Sequence, residues 1–166
     1  RTWQFVKQSF QRNGRAGDDV CAPGAWAWGD TLLFIPSFAS PDPMPLYFST
    51  DPVRGKWQML TDSFQVATWD PSFFKDDDGR AYVYWGSSNT FPLYGMELDT
   101  KNRYQPKGEK KELSRLFPEE HGWERFGEDH TDTVIAPYTE GPWMTKYKGK
   151  YYYQYAAPGT EWNVYA

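Results

Sequence analysis

The sequence predicts an all-β fold. Short runs of β-branched and aromatic residues lie between Gly, Pro and Asp, and almost no stretch has the apolar spacing of an amphipathic helix. Aromatic residues make up 19% of the 166-residue chain, and such side chains suit the half-buried surface of a sheet. The predicted strands span residues 31–37, 45–49, 57–60, 72–75, 81–85, 93–97, 143–147 and 151–156.

Two pairs of these strands are joined by turn sequences. Asp78-Gly79 and Lys148-Gly149 each place a glycine where a tight hairpin requires a positive φ. Both are therefore predicted to be hairpin turns.

Internal repetition indicates how the strands are grouped. Residues 25–35, 73–85 and 143–155 each read as a strand, a Gly turn and a strongly apolar strand. A second repeat relates residues 54–60 to residues 1–6, each with a central Trp, and predicts that Trp3 belongs to the outer strand of a preceding unit. Repeats of this size, each a four-stranded antiparallel sheet, are typical of a β-propeller.

The predicted organisation is a single partial β-propeller domain of four-stranded antiparallel blades. An unclosed propeller exposes the faces of its blades, so the missing blades of the same polypeptide are expected partners. The predicted parts are the end of a preceding blade (1–8), blade two (19–65), blade three (66–112), a loop (113–139) and the start of blade four (140–166).

Composition argues against several other classes of protein. The net charge is −4 with scattered Lys and Arg, which disfavours nucleic acid as a partner. No apolar run approaches the roughly 20 residues that span a bilayer, so no membrane partner is expected. Cys21 is the only cysteine, so no internal disulfide can form.

Two carboxylates are the candidate chemical groups. Asp70 and Glu140 each lie at the entrance to the innermost strand of a repeat, and these entrances converge on one end of a propeller's central channel. Asp-Pro is also a common turn, and Glu140 taken alone reads as a solvated acid at a strand end. Glycoside hydrolysis needs such a pair, because one carboxyl donates a proton and other carboxylates complete the site.

The motifs around these acids resemble glycoside hydrolase family 43. They are WDPSFF at 69–74, DDDGRAYVYWG at 76–86, EGP at 140–142 and KGKYYY at 148–153, and CAPG at 21–24 is similar to that family's Trp-Ala-Pro entry to its second blade. The resemblance implies a five-bladed propeller, of which about three blades lie in this chain. It also implies inverting hydrolysis of xylosides or α-L-arabinofuranosides in plant cell-wall polysaccharide, and a secreted or periplasmic location.

The resemblance assigns roles to the two acids. Glu140 matches the general acid, and Asp70 matches the residue that orients the acid and modulates its pKa. The general base of the family is an Asp of the first blade, which would precede Arg1, so the chain as given is expected to be inactive. Asp18 and Asp19 lie in a loop before the second blade and are not substitutes for that base.

Trp26, Trp69 and Ser88 are the predicted substrate-binding residues. Trp26 and Trp28 lie two positions apart and share a face of a strand, where they would stack on sugar or, as is favoured, pack between blades. Ser88 and Asn89 follow a strand that ends at the site, so they would bond sugar hydroxyls or form a turn.

No metal or other cofactor is predicted in this segment. The Asp76–Asp78 run lacks the alternating oxygen spacing of a calcium loop and is interpreted as a turn, while His121 and His130 are interpreted as surface residues. The resemblance implies a structural calcium ion in the complete propeller.

Two alternatives to this function are kept. An invertase-like retaining glycosidase shares the propeller but carries Arg-Asp-Pro and Glu-Cys motifs, whereas here Trp69 precedes the Asp and Gly141 follows the Glu. A non-catalytic carbohydrate-binding propeller would use the same aromatic residues without turnover.

Overall fold

The computed structural model describes residues 2–7, 9–10, 22–37, 43–67 and 69–159, with the side chains of residue 43 and residues 63–67 left aside. Asp18, Asp19 and Cys21 lie outside these residues. The described part contains strands and short 3-10 turns and no α-helix, which confirms the all-β prediction. None of its helical turns is long and apolar enough to cross a membrane.

Within the described residues, eleven strands form three antiparallel sheets. Sheet 1 has the order β1 (Gly24–Trp28), β2 (Thr31–Ile35), β3 (Pro43–Asp51), β4 (Lys56–Ala67). Sheet 2 has the order β5 (Ser72–Lys75), β6 (Ala81–Trp85), β8 (Leu93–Asp99), β9 (Gln105–Ser114). Sheet 3 has the order β11 (Lys150–Ala156), β10 (Thr139–Tyr147), β7 (Ser87–Ser88).

The first long strands of the three sheets lie next to one another. β5 contacts β1 on one side and β10 on the other, so the sheets follow each other around a common inner edge. Every predicted strand falls on one of these elements or overlaps it closely. β9 was not predicted, because its ten residues are mostly exposed and charged and carry no apolar alternation.

β6, in the interior of sheet 2, is buried on both faces, which explains its continuous apolar run. Val83 and Trp85 belong to a core shared with Leu33, Ile35 and other residues of sheet 1. The intervening Tyr84 lies on the opposite face, where its ring is 6.4 Å from that of Tyr153 in sheet 3. Face-to-face packing of this kind is how neighbouring blades bury their apolar surfaces.

The two predicted hairpin turns are present. The Asp76 carbonyl accepts a hydrogen bond from the Gly79 amide (3.0 Å), and Gly79 has a φ of 86°. Lys148 and Gly149 both have positive φ, at 50° and 74°, as a two-residue hairpin turn requires.

Near the amino terminus, the residues around Trp3 form no strand. Residues 2–6 are irregular and Trp3 is fully exposed, because a strand requires a hydrogen-bonding neighbour that the described part of the chain does not supply there. Its place in the outer strand of a preceding blade stays a prediction. Phe10 instead packs on sheet 1, with its ring 4.7 Å from Phe34 and 4.8 Å from Tyr47.

Between β9 and β10, residues 115–138 form a long connection. It contains a 3-10 turn at Gly122–Glu124 and an isolated bridge between Phe126 and Asp132. Phe126 is 2% exposed and lies beside Gly159, so its ring packs the connection against the chain that follows β11. It leaves sheet 2 and enters sheet 3 at the same edge of the two sheets.

Candidate active site

The inner strands β5 and β10 lie side by side and run in the same direction. Two hydrogen bonds join them near the points where they begin. The Gly141 amide donates to Asp70 Oδ2 (3.1 Å), and the Ser72 hydroxyl donates to the Pro142 carbonyl. Ser72 is 5% exposed, so this hydrogen bond joins the two sheets in a buried position. The beginnings of both strands are therefore fixed against each other.

Asp70 is held in an unusual backbone conformation. Its φ is 50°, in the left-handed region that Asp tolerates better than most residues. The proline that follows disfavours the right-handed helical region for Asp70. On the other side of Pro71, Gly24 approaches so closely that a Cβ there would lie 2.4 Å from the Pro71 carbonyl oxygen. The backbone of Asp70 and Pro71 is therefore positioned by its close packing against Gly24 in β1.

Glu140 is placed by a bulge at the start of β10. It pairs with Ser87 on one side and Ala156 on the other, but the pairing with β11 then shifts before Trp143. Gly141 lies in this irregularity with a φ of 62°. Bulges bend a strand and re-aim its side chains, and they are common beside active sites.

Ser87 reaches Glu140 because the chain changes sheets after β6. Gly86 has a φ of 140°, and a Cβ there would lie 2.7 Å from the Leu93 side chain, so the bend requires glycine. The next two residues form β7 and pair with β10. The Ser87 hydroxyl then donates to Glu140 Oε2 at 3.3 Å.

These elements line an open pocket of about 470 Å³ at the edge of the sheets where the inner strands begin. Among its described lining residues, Asp70 and Glu140 are the two carboxylates. The lining consists of Ala22, Trp69, Asp70, Ser87, Ser88, Asn89, Tyr138 and Glu140.

The electrostatics of the pocket raise the pKa of Asp70 to about 6. Burial is the main cause, and the nearby charge of Glu140 is the second. The hydrogen bond from the Gly141 amide acts in the opposite direction, because it favours the ionised carboxylate. The two acids are close enough to influence each other's charge.

Four of the five predicted site residues meet in this pocket: Asp70, Glu140, Trp69 and Ser88. Trp69 is 37% exposed, so part of its ring is accessible. The Ser88 hydroxyl oxygen accepts hydrogen bonds from the amides of Thr90 (3.0 Å) and Phe91 (2.9 Å). Ser88 thus closes the turn after β7 as well as lining the pocket.

Trp26, predicted to bind substrate, does not line the pocket. Its ring is stacked on Phe73 at 5.9 Å and 20°, and it meets Trp28 edge-on at 4.8 Å. The even positions of β1 face sheet 2, so this side chain fills the space between the two sheets. Packing between blades was the favoured of the two predictions for Trp26, and its contact with substrate stays a prediction.

Sequence reasoning did not identify Ser87 and Tyr138 as site residues. Tyr138 lies two positions before Glu140, and the alternation of an extended chain could have placed the two on one side. Nothing in the local sequence marks Ser87, because its position depends on the change of sheets at Gly86.

At the far ends of the inner strands, Asp76 makes a second connection between sheets 2 and 3. The Lys146 ammonium lies 2.5 Å from Asp76 Oδ1, and the Tyr151 hydroxyl donates to Asp76 Oδ2. These hydrogen bonds, first from Lys146 and then from Tyr151, lower the pKa of Asp76 to about 2. The interpretation of the Asp76–Asp78 run as a turn was therefore incomplete, because its first residue is a buried anchor.

The described residues contain no group of three or more His, Cys, Asp or Glu side chains arranged to hold a metal ion. The calcium ion that the resemblance implies is not tested by this finding, because backbone carbonyls and water can also bind calcium. It stays a prediction for the complete propeller.

Solved structures with the same arrangement of sheets show which fold this is. A xylan β-1,4-xylosidase from Bacillus halodurans C-125 matches 97% of this chain and 30% of its own, with a TM-score of 0.60 and 21% identity. An α-L-arabinofuranosidase from Clostridium thermocellum ATCC 27405 matches 84% of this chain and 43% of its own, with a TM-score of 0.59 and 20% identity. The fold is that of a β-propeller, as predicted, and the paired acids lie where its inner strands begin.

Sequence comparison then gives the family. The profile of glycosyl hydrolases family 43 matches residues 42–166, and the chain belongs to this family. A β-xylosidase from Xylanibacter ruminicola is 30% identical over 138 residues, covering 74% of this chain. Xylosidase/arabinosidase 43A from Humicola insolens is 29% identical over 149 residues, covering 75% of this chain. The match spans 40% of the length of each of these curated relatives.

Proposed function

We propose that the protein to which this chain belongs hydrolyses O-glycosidic bonds of xylosides or α-L-arabinofuranosides in plant cell-wall polysaccharide. The names of the relatives, a β-xylosidase and a xylosidase/arabinosidase, support this substrate class. In the proposal Glu140 protonates the leaving oxygen, and Asp70 orients the acid and adjusts its proton affinity.

The observation that carries the proposal is the meeting of Asp70 and Glu140 in one pocket. They come from different sheets and are brought together by strand pairing and by the Gly141–Asp70 hydrogen bond. Two close carboxylates resist being ionised together, so a proton stays within the pair at moderate pH. A glycosidase needs such a stored proton, because the leaving oxygen must be protonated as the bond breaks.

In the proposed mechanism Glu140 delivers the proton to the leaving oxygen. The Gly141 amide donates to Asp70 Oδ2 at 3.1 Å and holds this carboxyl group next to the proposed acid. The Ser87 hydroxyl, 3.3 Å from Glu140 Oε2, keeps the carboxyl directed into the pocket. Trp69 offers a partly exposed ring face against which a sugar can stack.

An inverting reaction also needs a base to activate water on the opposite face of the sugar. Asp70 and Glu140 are the carboxylates among the described residues of the pocket, and both already have roles. We therefore assign the base to another part of the full-length protein.

Activity of the full-length protein on aryl β-xylosides and aryl α-L-arabinofuranosides tests the proposal. Glu140→Gln should reduce kcat by about 100-fold or more, because the proton donor is lost. Asp70→Asn should lower the rate and shift its pH profile. Asp78→Asn, an exposed acid of the β5–β6 turn, is the matched control and should retain the wild-type rate.

NMR of the first-formed product tests the stereochemistry. Inversion of the anomeric configuration is expected, whereas retention would assign the enzyme to the invertase-like alternative. Wild-type rates in Glu140→Gln would refute the role of the acid. Binding of sugar by an intact protein that turns over neither substrate would favour the non-catalytic propeller.

Secretion or a periplasmic location fits a substrate in the plant cell wall. It remains part of this proposal, and fractionation of the producing cells would test it.

A further inference from the structure

The long connection between β9 and β10 lies on the same edge of the sheets as the pocket. It leaves sheet 2 after Ser114 and returns at Thr139, whose neighbour in β10 is Glu140. Connections of more than about 12–15 residues inside a compact domain are uncommon and usually functional. The part of interest is residues 117–125, here named the aromatic turn.

The aromatic turn presents a set of exposed rings. Phe117 is 48% and Trp123 is 39% exposed, and His121 lies between them. The His121 and Trp123 rings are nearly parallel, at 18°, with centroids 6.2 Å apart. Phe117 meets the His121 ring edge-on at 6.3 Å. The His121 ring is stacked against Trp123, and the exposed part of the Trp123 side chain is an apolar surface of the kind on which sugar rings stack.

A buried carboxylate holds this surface in place. Glu124 has no exposed surface, and its Oε2 accepts a hydrogen bond from the Phe117 amide. Its Oε1 accepts from the Tyr155 hydroxyl at 3.3 Å and lies 3.5 Å from His121 Nδ1. Burying an acid is costly unless it is fully hydrogen-bonded, so this group makes the turn rigid around its exposed rings. A rigid surface loses little entropy when it binds a ligand.

The aromatic turn is one strand away from the proposed acid. The Trp123 ring is 5.9 Å from that of Tyr155, and the next residue of β11, Ala156, pairs with Glu140. A sugar chain that leaves the pocket over β11 would therefore meet Trp123.

We propose that Trp123, supported by His121, is a binding site for a sugar unit of an extended oligosaccharide or polysaccharide chain. That unit belongs to the same substrate molecule whose scissile bond lies at Asp70 and Glu140. This inference rests on the proposed function and makes it more specific, since it selects chains of several sugars over disaccharides and aryl glycosides.

Comparison of short and long substrates tests the site in the full-length protein. Trp123→Ala should lower kcat/KM for xylohexaose, or for arabinohexaose if the wild type prefers it, by about three- to tenfold. The same variant should leave the rate on the aryl glycoside within about twofold, because that substrate does not reach the turn. Trp123→Phe keeps a ring and should restore most of the activity on the long substrate.

Tyr147→Ala is the matched control. Tyr147 is 60% exposed and lies at the opposite end of β10, so its loss should affect neither substrate. Thermal unfolding of each variant would detect a folding defect.

A binding measurement separates failure of this site from failure of the proposed activity. The two hexaoses are titrated by calorimetry into the Glu140→Gln variant and into the double variant that also carries Trp123→Ala. The single variant should bind hexaose about three- to tenfold more tightly than the double variant. Equal losses on short and long substrates, or unchanged hexaose affinity after Trp123→Ala, would overturn the site. An inactive wild type that still loses hexaose affinity through Trp123→Ala would refute only the proposed hydrolysis.

Discussion

Lys146 and Asp76 form an ion pair at the ends of the inner strands that lie farthest from the pocket, with Nζ 2.5 Å from Oδ1. Asp76 follows β5 and Lys146 lies near the end of β10, while Asp70 and Glu140 lie at the beginnings of the same two strands. The strands are thus joined at both ends. This relationship fixes which residue of β5 faces which residue of β10, and with it the meeting of the two acids.

Replacing Asp76 by Asn should destabilise the fold at neutral pH. Asp76 is 6% exposed, and the change removes the charge that pairs with Lys146. The pKa of Asp76 is about 2 in the folded state, below its usual 3.8. Its stabilising contribution is therefore fully present above pH 3.8 and is lost as the pH falls from 3.8 to about 2. Thermal unfolding should show a large difference from wild type near neutral pH and a small one near the folded pKa.

Asp78→Asn serves as the control for that experiment. Asp78 lies in the same turn, but its ion pair with Arg80 is exposed, and such pairs contribute little to stability. Equal effects of the two substitutions would contradict the anchoring role of Asp76.

Asp70→Asn should stabilise the protein at neutral pH while it impairs activity. The pKa of Asp70 is raised to about 6, so the folded state binds its proton more tightly than the unfolded state and loses stability as the pH rises from 3.8 to that value. Asn carries no charge and avoids this loss, which is on the order of 2 kcal/mol after allowance for solvent screening. Chemical denaturation should show the gain above the folded pKa and little difference below 3.8. A variant less stable than wild type at neutral pH would contradict this account.

Gly24→Ala should disturb the segment that carries Asp70. The new Cβ would lie 2.4 Å from the Pro71 carbonyl oxygen, so β1 and Pro71 must separate. Overpacking of this kind costs about 1–3 kcal/mol, and we expect a lower kcat as Asp70 moves. Gly122→Ala is the control, because no atom lies within 4 Å of its Cβ position. Urea denaturation and aryl glycosidase rates measure both effects, and an unaffected Gly24→Ala enzyme would refute the prediction.

Ser72→Ala should reduce both stability and activity. It removes the donor to the buried Pro142 carbonyl, two residues after Glu140, at a cost of about 1–2 kcal/mol. Ser49→Ala removes a similar buried hydroxyl that donates to the Lys56 carbonyl at 2.7 Å in sheet 1. Both variants should lose stability, but the kcat of Ser49→Ala should remain that of the wild type. A similar loss of kcat in both would show that the Ser72 contact has no special role at the site.

The predicted strands were correct where the apolar pattern was strong. β6 is apolar throughout because sheets pack on both of its faces, and the Gly turns before β6 and β11 need positive φ. β9 lacked such a pattern because an outer strand with exposed charged residues is held by backbone hydrogen bonds that any sequence can make.

The candidate site was predictable to the extent that its residues begin repeated strands. Asp70 and Glu140 occupy equivalent places in two repeats, and this equivalence brought them together in the prediction and in the structure. For Trp26 the sequence left two environments open, stacking on sugar or packing between blades, because it shows which side chains share a face but does not show what that face packs against.

The sequence by itself determined the all-β class, the repeated hairpins and the pair of acids, because strand periodicity, turn glycines and repeats are local properties of the chain. Only the tertiary structure decided that Ser87 reaches Glu140, that Asp76 anchors Lys146 and that Glu124 fixes the aromatic turn. Each of these contacts joins parts of the chain whose proximity depends on how sheets and loops pack. The packing is set by many weak interactions acting together, and no short stretch of sequence records it.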